Sequence, residues 1–181
     1  MTNRPDADLK AVERAWALVS AALATFDDDA ARGLSALPGW TRGHVVTHMA
    51  RSADGDRGCA EHATRGQVGV KYPGGSEARA AGIEAGAPRH ASELVADLAV
   101  AQRRLMATWQ TLPDAAWPAL ADTPAGMRTI ADTVLARRRE LLVHLVDLDV
   151  GVEPSDLPAD YLVADADWIA ENRADWSLPT S

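Results

Sequence analysis

Two spaced pairs of side chains carry whatever chemistry this chain performs. In RGHVVTHMARSAD, residues 42–54, His44 and His48 stand four apart, and in RRRELLVHLVDLD, residues 137–149, so do Glu140 and His144. Residues four apart lie side by side on one helix face. If the two helices are neighbours, a histidine of the first meets the Glu-x-x-x-His pair of the second. Three nitrogen and oxygen donors with a fourth position open to water form a catalytic zinc arrangement rather than a closed structural one. That open corner accepts a hydroxide, a carbonyl oxygen or a thiolate. The plainer alternative is an ion pair of solvated helix residues, and five histidines allow several pairings.

The elements that must position these residues are helices. Leu9, Val12, Ala15, Trp16, Val19 and Leu23 form one stripe over residues 7–25, an amphipathic pattern. FDDDAARG, residues 26–33, reads as one further turn ended by Gly33. Thr41 suits an N-cap for a helix to about Arg65, with Val45, Val46, Met49 and Ala53 as its core side. Residues 66–90 are turn-rich, with one short helical turn expected near Ser76 to Gly86; so long a connection reads as a lid or binding loop. Ser92 is the expected cap of a third long helix carrying Leu94, Leu98, Ala101, Leu105 and Trp109. Residues 113–128 read as a connector, 129–151 as the fourth long helix stopped at Gly151, and a final helix follows Pro158. Alternating β-branched runs are nearly absent. The expected fold is all-α, a four-helix bundle with additional short helices and a long connecting loop, spanning 1–175 with a tail at 176–181.

Bulk properties narrow the function. The 181 residues carry a net charge of −8, which argues against nucleic acid and anionic membrane as partners. A single cysteine, Cys59, excludes an intrachain disulfide and a Cys-rich zinc site. MTNRPDADLK has no apolar signal region, and no run reaches the ~18 apolar residues of a membrane span. The expectation is a cytoplasmic protein, a monomer or weak homodimer.

LPGWTRGHVVTHMARSAD resembles the entry to the second helix of the mycothiol-dependent maleylpyruvate isomerase family, part of the DinB-like superfamily of metal-binding four-helix bundles. RRELLVHLVDLDVG is similar to that family's second motif, and EAGAPRHASELVADLAVAQRRLMATWQTLPDAAW to its connecting region. The likeness covers most of residues 8–170. It implies His48, Glu140 and His144 as metal ligands, with His44 as pocket wall or as the rival to His48. It also implies mycothiol as thiol cosubstrate, in an actinobacterial setting. Zinc suits the donor set, and iron, nickel or cobalt fit the same ligands. A thiol of pKa ~8.5 is mostly protonated at neutral pH, and coordination to a divalent metal deprotonates it. The resulting thiolate can add to an activated cis alkene such as maleylpyruvate.

Such a small-molecule electrophile bears carboxylates, so the pocket should supply cations. Arg51, Arg137 and Arg139 are the candidates, each equally readable as a solvated helix arginine. Asp147 is placed to orient His144 through its other ring nitrogen. Isomerases of the family carry a further C-terminal α/β domain, and this sequence ends where that domain would begin. A thiol S-transferase with another electrophile is therefore the alternative enzyme, and a non-catalytic stress or interaction protein the alternative class.

Overall fold

In the computed structural model, which describes residues 3–176, the three- and four-residue apolar spacing becomes four long helices. They are α1 (Asp6–Ala22), α3 (Arg42–Ala63), α5 (Ala91–Gln110) and α6 (Ile130–Asp147). α3 lies against α5, α1 against α6, and α3 also meets α6. Val12 and Val19 of α1, Val45, Val46 and Met49 of α3, Leu94, Leu98 and Trp109 of α5, and Leu141 and Leu142 of α6 are fully buried in one continuous core. Each such side chain contributes roughly 1.5–3 kcal/mol by leaving water. The α3–α6 contact brings the two histidine-bearing helices side by side.

Shorter elements dress this bundle. α2 (Asp28–Arg32) precedes α3, and α4 (Gly75–Gly86) forms most of the long connection. The expected final helix is divided in two, α7 (Ala159–Ala164) and α8 (Ala166–Asn172), at Asp165. That residue's carboxylate is held by Arg139. Trp176, expected to begin a tail, packs on the core; the rest of that tail, 177–181, lies outside the described residues.

The small sheet was not expected. β1 (Gly69–Val70) runs parallel to β2 (Leu120–Thr123), which pairs antiparallel with β3 (Gly126–Thr129). Strands of two and four residues are too short for a two-residue period to register. Gly69 is required there, since a Cβ would fall 2.5 Å from the Cys59 Cα where β1 crosses α3.

The cap of α5 also differs from expectation. The helix starts two residues earlier, at Ala91, with His90 rather than Ser92 as N-cap and Glu93 accepting from the His90 N–H at 3.1 Å. Asp28 on α2 accepts the Ala91 N–H at 2.7 Å and lies 2.7 Å from His90 Nδ1, so another element satisfies the helix end. Hydrogen bonds from Ala91 and His90 lower the Asp28 pKa to about 2, while Asp28 raises that of His90. The depressed carboxyl contributes stability above its unfolded value of ~3.9 that is lost as pH falls toward 2. The raised imidazole contributes below its unfolded ~6.5 and loses its contribution as pH rises through the folded value. Thermal unfolding should therefore show Asp28→Asn most damaging between about pH 4 and 6.5, with a smaller gap once the pH has risen through the folded value of His90 and its charge is lost. A gap that goes on widening above about pH 6.5 would refute the pairing.

Candidate metal centre

Both halves of the site follow from helix geometry. His48 is on the α3 face that meets α6, and Glu140 and His144 occupy successive turns of α6. One donor atom from each lies within 4.8 Å of the other two. His48 Nε2 is 3.1 Å from His144 Nε2 and 2.6 Å from Glu140 Oε1, and His144 Nε2 is 3.5 Å from the same oxygen. Bonds of ~2.0–2.2 Å to a tetrahedral cation place donors roughly 3.3–3.5 Å apart, close to two of these separations.

Glu140 Oε1 is buried and has no aligned hydrogen-bond donor, although both imidazoles crowd it. A buried carboxylate oxygen left so is costly; a divalent cation at the shared point satisfies it, so the residues fit such an ion. Burial works to raise the Glu140 pKa, but His144 and His48 hold it well below the usual carboxylate range. Burial works to lower that of His144, but Asp147 and Glu140 push it up to about 9. For His48 burial prevails over Glu140, and its pKa falls.

Further groups fix the imidazoles. His144 Nδ1 is 2.8 Å from Asp147 Oδ2, so its Nδ1–H donates outward and Nε2 is the ring nitrogen turned toward Glu140. The other Asp147 oxygen is 2.7 Å from Arg173 Nη2, past the end of α8. Trp40 presents its ring to the edge of His48, with centroids 5.7 Å apart. Asp147→Asn leaves one oxygen to serve both Arg173 and His144. Chelator competition should then show zinc affinity reduced about 10–100-fold, and an unchanged affinity would remove Asp147 from this role.

The triad forms part of the wall of a cavity of about 1090 Å³. α4 supplies Gly75, Ser76 and Arg79; the sheet supplies Val70, Asp122 and Arg128; α6 supplies Leu135, Ala136, Arg139 and Val143; α8 supplies Trp168.

Other expected site residues are placed elsewhere. His44 does not join the triad: its Nδ1 accepts the Thr41 N–H at 3.1 Å, capping α3, and its Nε2 faces Glu84 at 3.4 Å. Arg51 and Arg137, expected as substrate contacts, do not line the cavity. Arg51 is drawn to Asp97 and Asp54. Arg137 is wholly buried, donating to Gln102 Oε1 and the Met49 carbonyl. Arg139 lines the cavity, but Asp165 binds it through both oxygens, and it stacks on Trp168 at 4.5 Å. Trp168 is half-buried and faces the cavity. Sequence reasoning missed Arg79, Arg128 and Lys71. No periodicity marks them, since all three lie in α4, the sheet or their joins.

A helical bundle with a His/Glu/His cluster on a cavity wall places the chain in the DinB-like class of folds. More narrowly, the family model described as Mycothiol maleylpyruvate isomerase N-terminal domain matches residues 12–149, and the chain belongs to that family. Crystal structures of the mycothiol-dependent maleylpyruvate isomerase and of a histidine-to-alanine mutant of it both superimpose with a TM-score of 0.85. Identities are 26% and 25%, and each match covers 91% of this chain and 68% of the solved one. No curated protein matches. Family and structural neighbours alike are enzymes.

Proposed function

We propose that this chain is a divalent-metal-dependent enzyme that uses mycothiol to isomerise an activated cis alkene of the maleylpyruvate type. His48, Glu140 and His144 are its metal ligands and zinc its cation. The supporting observation is the convergence of three donor atoms from two helices on one wall of a cavity large enough for small molecules. A cation held there supplies Lewis acidity and favours the deprotonated form of a thiol.

The chain does the rest. Asp147 takes the His144 Nδ1–H and so holds Nε2 inward, where a cation would take its lone pair. Val70, Leu135, Ala136, Val143 and Trp168 give the cavity an apolar side, which keeps competing water from the alkene. Addition forms a carbon–sulfur bond, the thiol proton passes to the neighbouring carbon, and the double bond becomes single. Rotation about that bond and reversal of the addition break the carbon–sulfur bond, returning the thiol and a trans alkene.

Purified protein should hold about one zinc per chain, as a single three-ligand site requires. Incubation with mycothiol and maleylpyruvate, followed by mass spectrometry, should yield the trans isomer with the thiol unconsumed. An accumulating thiol adduct would instead identify a thiol transferase on the same scaffold. Protein prepared without chelators and lacking metal would sink both readings.

A further inference from the structure

Four cationic side chains line the cavity: Lys71, Arg79, Arg128 and Arg139. Two are tied to acids, Lys71 to Asp56 at 2.9 Å and Arg139 to Asp165. Arg79 makes no ion pair among the described residues. Its Nη2 lies 3.0 Å from His48 Nδ1, and its guanidinium sits over the Tyr72 ring, 5.3 Å from the centroid. Of the cavity's cations it is the one in contact with the triad.

That contact has a consequence for proton placement. Arginine only donates hydrogen bonds, so His48 Nδ1 must accept, which in a neutral ring puts the proton on Nε2. A cation at the triad requires the Nε2 lone pair and therefore a proton on Nδ1. The Arg79 N–H would then face another N–H, and the bond to His48 is lost. Occupation of the triad thus releases a half-buried guanidinium beside the reacting centre, and it needs a new acceptor. Among the acids that line the cavity, Asp132 is engaged in capping α6 through Thr129, and Asp122 lies on β2.

We propose that Arg79 grips a carboxylate of the substrate and thereby orients the alkene against the triad. This rests on the triad being a metal centre that acts on an anionic alkene. The planar fork of the guanidinium matches a carboxylate, and Tyr72 supports its face. α4 carries Arg79 on a wall separate from α3 and α6, entered through Gly74 and Gly75 at φ 91° and 77°. Specificity for the anion is thereby held on a different element from the metal ligands.

The test uses the zinc-loaded chain, with maleate and its neutral analogue maleamide as probes in isothermal titration calorimetry. Wild type should bind maleate more tightly than maleamide. Arg79→Gln should weaken maleate roughly 10–100-fold and leave maleamide and zinc content unchanged. Arg79→Lys should recover part of the loss, and Arg139→Gln should alter maleate binding by less than about 3-fold, as its cation already serves Asp165. Equal maleate affinity in wild type and Arg79→Gln overturns the proposal, as does a wild type indifferent to the probe's charge. Loss of zinc from Arg79→Gln also overturns it, because the arginine would then act on the metal ligands. A wild type that holds zinc and isomerises its alkene while failing these tests overturns the Arg79 role alone. A wild type without zinc fails at the preceding reading.

Discussion

His48→Ala should lose its zinc. Structural zinc sites bind with ~10–16 kcal/mol over four ligands, so removing one ligand is worth about 3–4 kcal/mol, or roughly 10²–10³-fold in affinity. At micromolar protein with a competing chelator the variant should be essentially metal-free, and thiol-dependent turnover should fall with occupancy. His44→Ala is the sharp comparison. His44 lies on the same helix one turn earlier, but its Nδ1 serves the Thr41 N–H. It should keep its zinc and lose only about 1 kcal/mol of stability with the cap. Metal analysis of the two purified variants decides the matter. If His44→Ala loses zinc and His48→Ala retains it, the ligand set is wrong and α3 is rotated by a turn.

The second large effect concerns the cavity floor. Lys71 is paired with Asp56 at 2.9 Å, with side chains only 10% and 1% exposed. Burial works to lower the Lys71 pKa, but Asp56, with Glu140 beyond it, keeps it raised and the ammonium charged. The buried Arg137 adds a further positive charge nearby. Asp56→Ala leaves these cations uncompensated in a low-dielectric interior. Removing one partner of such a pair costs about 3–5 kcal/mol, which for a chain of this size lowers the melting temperature by roughly 6–20 °C. The double variant Asp56→Leu with Lys71→Met should recover most of that, because it removes the charge together with its partner. Calorimetry on the single and double variants provides the test. A loss below ~1 kcal/mol for Asp56→Ala would mean that water reaches the pair.

Much of the frame was legible beforehand because helices write their burial into a local period. The stripes on α1, α3, α5 and α6 identify four long helices, and the Thr41 cap sets the start of α3. Short elements escaped that reading. β1 has two residues, and the hairpin of β2 and β3 turns within the four residues Thr123–Gly126. α4 buries only Ile83, so little of it repeats. The cap of α5 could not be read locally either, since Asp28 supplies it from 63 residues away.

The arginines show the same division. Arg51, Arg137 and Arg139 all lie within a turn of a triad residue along the chain, which is why spacing singled them out. Proximity along a helix does not say which way a long side chain turns. Arg51 finds Asp97 on α5, Arg137 is enclosed with Gln102, and Arg139 finds Asp165. Arg79, which no spacing marks, stands beside His48 because α4 folds back over α3.

By itself the sequence determined a helical bundle and the presence of Glu140 and His144 on one helical face, since both follow from interactions within a few residues. Only the tertiary structure decided that His48 rather than His44 completes the cluster, and which cations remain for a ligand. Those outcomes depend on how α3 is rotated against α6 and on acids distant in the chain, and a periodic pattern carries no information about partners on another element.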